Sequence, residues 1–213
     1  MRRYLPLLKP LLFLLCLVPV ARLGWGLAHD TLGANPIEFL TRSLGTWTLN
    51  FLLITLSVTP LRKLSGWHWL MQLRRMLGLY AFFYGLLHLS SYLWLDQFFD
   101  WGEIGRDILK RPFITAGMTA FLLMAPLAVT STNAMIRRLG GQRWQSLHRL
   151  VYAVALLGVL HYAWLVKKDV SQPILYGTIL LGLLGFRVVV WLRSQKRQAA
   201  VPKRKIIPIV NRS

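Results

Sequence analysis

Six apolar stretches, each near the length of a membrane-crossing helix, constrain the fold of this sequence more than any other feature. A helix needs about 20 mostly apolar residues to cross the hydrocarbon core of a bilayer. The chain has 213 residues, of which 55% are hydrophobic, and this composition excludes an ordinary soluble domain. We predict an all-α integral membrane protein, with a six-helix transmembrane bundle over residues 1–192 and a basic tail over residues 193–213. The stretches cover approximately Leu7–Ala28, Leu44–Leu61, Met76–Leu95, Pro112–Thr130, Leu150–Val166 and Pro173–Leu192.

The formal net charge of +19 is segregated by loop rather than spread along the chain. Clusters of arginine and lysine precede the first stretch, follow the sixth, and separate the second from the third and the fourth from the fifth. The positive-inside rule makes these segments cytoplasmic, so we predict that both termini are cytoplasmic. The basic charge then indicates topology and lipid contact rather than nucleic-acid binding. All seven acidic residues fall in the three opposite loops: Asp30, Glu38, Asp96, Asp100, Glu103, Asp107 and Asp169.

The first stretch has some features of a cleaved signal peptide, because Arg2 and Arg3 precede an apolar run that ends in small residues. It is, however, long and interrupted by prolines, and it lacks a clean Ala-x-Ala cleavage site. We therefore expect a retained transmembrane helix.

The cysteine and glycine content limits the cofactors that this chain can bind. Cys16 is the single cysteine, so no intramolecular disulfide can form, and no Cys-x-x-Cys-His sequence is present for covalent haem attachment. Any haem must be held by ligation and packing alone. There is also no glycine-rich nucleotide fingerprint, and no room for a flavin or nicotinamide domain, which takes on the order of 100 residues.

Two histidines in the apolar stretches are predicted to lie at the same depth in the bilayer. His88 lies about 17 Å along its helix from Leu77, and His161 lies about 17 Å along its helix from Leu150, at about 1.5 Å per residue. An ionisable residue inside a bilayer is costly, and imidazole is a standard axial ligand of haem iron. We predict that this pair ligates one haem in the outer half of the membrane. The alternatives are hydrogen bonds between helices and a zinc site, but zinc needs three or four ligands.

His148 precedes His161 by thirteen residues, and so lies roughly 20 Å nearer the cytoplasm. That offset suits a second, inner haem, although an interfacial role is an equal alternative and no second histidine lies level with it on the third helix. Arginines bind carboxylates such as haem propionates, which makes Arg74, Arg75 and Arg149 candidates for that role. The alternative for these arginines is a cluster that sets the topology.

The other polar segments carry weaker signals. His29 and His68 are expected at the two surfaces, because one ends the first helix and the other lies among tryptophans. The outer loop Asp96–Arg111 mixes charges with aromatic residues, so it is either a docking surface for a partner or a solvated loop.

Six segments carry a recognisable family pattern: LRRMLGL at 73–79, LHLSSY at 87–92, RPFIT at 111–115, LAVTST at 127–132, WQSLHRLVY at 144–152 and HYAW at 161–164. Together they resemble the haem-binding membrane subunits of the protein-methionine-sulfoxide reductase system, the MsrQ family. The resemblance extends from the first to the sixth helix, and the motif Leu-His-Arg-x-x-Tyr also occurs in the wider ferric-reductase-like domain.

This resemblance implies a multi-pass b-type cytochrome of a bacterial inner membrane, with His88, His148 and His161 as the haem histidines. Members of the family pass electrons to a periplasmic subunit that carries a molybdenum cofactor and reduces methionine sulfoxide in periplasmic proteins. The electrons come from the quinone pool or from a cytosolic flavin reductase. Family members are described as binding haem b and FMN, but no motif for FMN is evident in this sequence.

The function that we predict is electron relay through one or two haems to that periplasmic reductase, with the substrate site in the partner subunit. Two alternatives remain. The first is a stand-alone ferric or quinone reductase, against which the missing nucleotide domain argues. The second is a haem-free transporter or assembly factor, which would be colourless.

Fusions of a reporter that is active only in the periplasm test the predicted topology. A fusion after Lys168 should give signal, because the acidic loops are predicted to be periplasmic, and a fusion after Arg197 should give none. The opposite pattern of signals would overturn the charge argument.

Overall fold

A computed structural model describes residues 5–200 of the chain. Six helical segments in this part are long and apolar enough to cross a membrane, which confirms the all-α, six-span prediction. The α-helices are α1 (Leu5–Ala28), α2 (Pro36–Ser65), α3 (Arg74–Ser91), α4 (Trp101–Lys110), α5 (Pro112–Val129), α6 (Asn133–Leu139), α7 (Gly141–His148), α8 (Leu150–Leu165) and α9 (Ser171–Ala200). The six spanning segments are α1, α2, α3 with a π-helical turn, α5, the continuous pair α7–α8, and α9.

The loops divide between two sides of the bundle. We call the side with residues 29–35, 97–111 and 166–170 the acidic side, and the side with residues 66–73 and 130–140 the basic side. A short 3-10 helix (His68–Gln72) lies on the basic side, and a π-helical turn (Tyr92–Asp96) extends α3 toward the acidic side. Which side faces the cytoplasm stays a prediction.

Helix bounds differ from the predicted stretches where capping residues, rather than hydropathy, set the ends. The second helix begins at Pro36, eight residues before the predicted Leu44, because the Asn35 side chain accepts from the Glu38 N–H (3.2 Å) and proline is suited to the first helical position. It ends at Ser65, and the next residue, Gly66, has a left-handed φ of 72° and donates its N–H to the Arg62 carbonyl in the last turn.

Three further segments refine the prediction. The predicted outer loop contains α4, which the Asp100 side chain caps by accepting from the Glu103 N–H (3.0 Å). The fifth predicted stretch, Leu150–Val166, is lengthened by α7 to a span of 25 residues, Gly141–Leu165. The predicted tail begins inside a helix, because α9 continues to Ala200, and residues 201–213 lie outside the described part of the chain.

The core lies where α2 meets α3, and a matching contact joins α5 to α8. These are the two most extensive helix pairs in the bundle. Phe51 of α2 stacks on Tyr80 (5.6 Å between ring centres) and on Tyr84 (5.2 Å) of α3. The Tyr80 hydroxyl also donates to the Phe13 carbonyl of α1 (2.8 Å). The aromatic cluster therefore joins three spanning helices.

Tyr84 attaches α1 to this core by entering the backbone of α1. Its side chain is fully buried. Its hydroxyl donates to the Cys16 carbonyl (2.7 Å) and accepts from the Val20 N–H (3.2 Å). These two groups are four residues apart and would normally bond to each other, so the hydroxyl is inserted into the helical ladder beside Pro19.

Polar contacts and one buried leucine hold α9 against α2. Leu180 is 1% exposed and packs among the side chains of α2 and α8. Toward the acidic side, the Tyr176 hydroxyl donates to Asn50 Oδ1 (2.8 Å). Toward the basic side, the Arg187 guanidinium donates to the Leu56 carbonyl. Much of the remaining surface of α9 is apolar and exposed, as expected for a face that contacts lipid.

Replacing Tyr84 with phenylalanine should lower the free energy of unfolding by about 0.5–1.5 kcal/mol, because the hydroxyl mediates two hydrogen bonds between helices. Denaturation of the purified protein in detergent, followed by circular dichroism, measures the change. Tyr162→Phe is the matched control, since its hydroxyl makes no hydrogen bond to any described residue. Equal loss of stability in both variants would contradict the role given to Tyr84.

Candidate functional site

Two histidines from different helix pairs face each other near the acidic side. The ring centres of His88 on α3 and His161 on α8 are 5.9 Å apart, and their planes are inclined at 77°. This confirms the prediction that the two lie at the same depth. Imidazoles that bind one metal from opposite sides place their ring centres about 6 Å apart, given metal–nitrogen bonds of about 2 Å. The observed separation therefore fits a metal held between the rings.

Each imidazole is oriented by a backbone carbonyl of the neighbouring helix. His88 Nδ1 donates to the Thr41 carbonyl of α2 (2.9 Å), and His161 Nδ1 donates to the Phe113 carbonyl of α5 (2.6 Å). A proton on Nδ1 leaves the Nε2 lone pair of a neutral imidazole available. Metal-binding histidines are held in this way, because the second hydrogen bond fixes the tautomer and the ring orientation.

A glycine opens the helix surface beside each imidazole. A Cβ on Gly45 would lie 3.1 Å from His88 Cε1 and 3.2 Å from His88 Nδ1. A Cβ on Gly117 would lie 2.8 Å from His161 Nδ1 and 3.0 Å from His161 Cε1. Each glycine is four residues after the accepting carbonyl, on the same face of the helix. The two docking sites thus share one pattern, a carbonyl at position i and a glycine at position i+4.

Two histidine ligands suit an iron held in a porphyrin ring better than a metal ion bound by protein side chains alone. Residues 5–200 contain no group of three or more histidine, cysteine or acidic side chains able to hold a metal ion. A zinc ion would need such a group, whereas haem iron takes four ligands from its own ring and requires at most two from the protein.

His148 lies in a different environment on the basic side. Its Nε2 is 3.1 Å from Thr130 Oγ1, and its ring stacks on Trp144 with ring centres 3.9 Å apart. Trp144 Nε1 donates to the Thr130 carbonyl (2.9 Å), which completes a small cluster. Nε2, the nitrogen that the other two histidines leave available, is therefore engaged here. The prediction that His148 ligates a second haem is untested.

The three predicted arginines differ in their surroundings. Arg75 Nη2 donates to Asn133 Oδ1 (2.8 Å), and Arg149 is exposed. Arg74 is partly buried and lies within electrostatic range of Arg62 and of Arg187. Their assignment to haem propionates stays a prediction.

Arg187 is a charge inside a spanning helix that the sequence reasoning did not single out. Its guanidinium donates to the Leu183 carbonyl of its own helix (2.8 Å) and to the Leu56 carbonyl, and lies 5.5 Å from the centre of the Tyr152 ring. These contacts compensate in part for the lost hydration of the charge.

His29 and His68 are exposed, as predicted.

The carbonyls of Thr41 and Phe113 and the two glycines were missed because hydropathy and spacing carry no direct signal for them. A glycine inside an apolar helix indicates a close contact in general, but it does not identify the partner. Only the register of α2 against α3, and of α5 against α8, places these glycines beside the histidines.

The sequence of residues 43–159, more than half of the chain, matches the family described as ferric reductase like transmembrane component. Residues 43–159 include His88, His148 and both glycines, and His161 lies two residues beyond the matched range.

Curated relatives match over most of their length. A protein of Azospira oryzae is 65% identical over 192 residues, covering 90% of this chain and 82% of the relative. A protein of Herminiimonas arsenicoxydans is 56% identical over 198 residues (92% and 91%), and one of Rhodospirillum rubrum is 55% identical over 184 residues (86% and 88%). All three are named protein-methionine-sulfoxide reductase heme-binding subunit MsrQ. The chain therefore belongs to the MsrQ family of ferric-reductase-like transmembrane proteins.

Proposed function

We propose that this chain is the haem-binding, electron-transferring membrane subunit of a methionine sulfoxide reductase system in a bacterial inner membrane. The observation that carries the proposal is the facing pair His88 and His161, each with Nδ1 on a carbonyl and Nε2 available. The names of the curated relatives support haem as the group bound. The catalytic site for methionine sulfoxide belongs to a partner subunit.

Haem bound in such a site would supply one-electron transfer. His88 and His161 would hold its iron through Nε2, and the carbonyls of Thr41 and Phe113 orient the two rings and would raise the basicity of the ligating nitrogens. The surrounding spanning helices exclude water. Haem b is expected, because a chain without a Cys-x-x-Cys-His sequence holds its haem by ligation and packing.

The direction of transfer follows from the predicted orientation. With the basic side in the cytoplasm, the facing pair lies near the periplasmic surface, where a molybdenum-cofactor subunit accepts the electrons. The donor, a quinone or a cytosolic flavin reductase, delivers them on the basic side. His148 and the arginines Arg74, Arg75 and Arg149 are the groups there that can hold a second haem or an FMN phosphate, since guanidinium binds carboxylate and phosphate.

Replacing either facing histidine with alanine should abolish the low-spin spectrum of the haem, because one axial ligand is lost and its partner is left unpaired. Low-spin signal is measured by absorption and by electron paramagnetic resonance on the purified protein. His148→Ala should keep that signal, since His148 is about 20 Å distant along the helix. The total haem content of the His148→Ala protein should fall if His148 holds a second haem.

Exposed His68 provides the matched control, and His68→Ala should retain full haem content. Haem should also be extractable from the wild type by acidified organic solvent. A colourless wild-type protein from haem-replete cells would contradict the proposal and favour a transporter or assembly factor. A full low-spin haem in His88→Ala would contradict the assigned ligands.

The two glycines provide a graded test of the site. Gly117→Ala places a methyl 2.8 Å from His161 Nδ1, so the ring must move and the low-spin haem should be lost or strongly altered. Gly45→Ala places its methyl at 3.1 Å from His88, so a smaller displacement should shift the reduction potential and spectrum while haem is retained. Redox titration and spectra of both variants measure the order of the effects.

Gly182→Ala is the control, because a Cβ there meets nothing within 4 Å. Gly85→Ala tests packing damage without contact to an imidazole, since its Cβ meets the Met124 methyl. Effects of equal size in Gly182→Ala and Gly117→Ala would exclude a specific role for the glycine beside His161.

A further inference from the structure

The surface of α4 is divided into three faces with different surroundings. Ile104 and Asp107, three residues apart, are buried and form the face of α4 that packs against the bundle. Glu103, Arg106 and Lys110 share a second, exposed face, on which Arg106 and Glu103 form an ion pair. This second face is suited to water.

The third face of α4 is apolar, and among the described residues only Phe99 packs on it, against Trp101. Trp101 is 69% exposed and Leu109 is 87% exposed. They are eight residues apart, so they lie on one side of the helix. The helix therefore has one face for protein, one for water and one apolar face that needs a different environment.

The turn before α4 adds two exposed aromatic side chains in a strained backbone. Phe98 and Phe99 have φ values of 47° and 59°, a left-handed conformation that bulky residues rarely adopt. Phe98 is nevertheless 78% exposed, so packing within the described chain does not compensate for this conformation. The chain directs these rings outward at the acidic side.

This apolar face continues the lipid-facing surface of α3. Leu79 and Leu86 are exposed on one side of α3, Trp94 is exposed in the π-helical turn that extends it, and Phe98 follows in the turn that leads to α4. A surface that faces acyl chains along a spanning helix meets the headgroup region where the helix ends, and tryptophan is enriched there. Continuity with this surface favours lipid over a protein partner as the occupant of the exposed face.

We propose that α4 lies in the interface of the bilayer on the acidic side, with Phe98, Trp101 and Leu109 inserted among phospholipid headgroups and upper acyl chains. Amphipathic helices with a strongly polar opposite face bind membranes in this way. Only the charged face of α4 then meets the aqueous phase. The segment thus anchors the bundle at this surface, and its apolar residues do not dock a partner.

The anchor is connected to both histidine-bearing halves of the bundle. The buried Asp107 carboxylate accepts from the Tyr92 hydroxyl at the end of α3 (3.2 Å) and pairs with Arg111 Nε (3.1 Å). The Thr115 hydroxyl donates to the Ile108 carbonyl, which joins α4 to α5 next to Phe113. An α4 fixed in the interface therefore sets the depth at which α3 and α5 end.

Site-directed spin labels on the full chain in phosphatidylcholine–phosphatidylglycerol vesicles test this proposal. In a Cys16→Ala background, labels at Phe98→Cys and Leu109→Cys should collide more often with oxygen, which partitions into lipid, than with a water-soluble nickel chelate. Labels at Glu103→Cys and Lys110→Cys, on the charged face, should show the reverse preference. The ratio of the two accessibilities should differ between the faces by severalfold.

Two results would overturn the proposal. Labels at Phe98 and Leu109 that are readily accessible to the nickel chelate place the apolar face in water, available for a protein partner. Labels accessible to neither reagent place it against a second copy of the chain or another protein. If the Phe98 variant fails to fold, the label at Leu109 reports the environment of the apolar face by itself. The Leu109 side chain is almost fully exposed and makes little contact with the rest of the chain, so its replacement should not disturb folding.

Discussion

Two hydrogen bonds from imidazole rings to helix carbonyls are the contacts on which the site depends. A carbonyl inside a helix already accepts from the N–H four residues later, but its second lone pair can accept again. The side chain of that later residue normally covers this carbonyl, because helical side chains lean toward the preceding turn. At both positions that residue is glycine, Gly45 and Gly117, so the neighbouring imidazole can reach the carbonyl.

The same two bonds connect the site to the packing of the whole bundle. One joins α2 to α3 and the other joins α5 to α8, the two most extensive helix contacts. Each pair presents one imidazole nitrogen to the other across the bundle. In the function proposed above, an iron between the two rings would be bound by the Nε2 lone pair of each. The packing of the two helix pairs would then set the distance between its two protein ligands.

The sequence was sufficient for the spans and for the depth of His88 and His161, because both follow from the regular rise of a helix along apolar stretches. It was insufficient for the contacts that make these residues a site. Thr41, Phe113 and the glycines acquire their roles through the register between helices, which composition does not encode. The amphipathic α4 was hidden by the mixed charges of residues 96–111, and the partner of His148 by its distance of 18 residues from Thr130.

Ion pairs neutralise much of the charge on the acidic side of the bundle and leave the net positive charge on the basic side. The ion pairs among the described residues, Arg42–Glu38, Arg106–Glu103 and Arg111–Asp107, all lie at the acidic side. Local bases there neutralise much of the negative charge, so the excess positive charge of the chain belongs to the basic side. A field of that sign accelerates association with anionic partners such as phosphate-bearing donors. At the nearly neutral acidic side, long-range steering is weak, so any partner recognised there must be recognised by shape and short-range contacts.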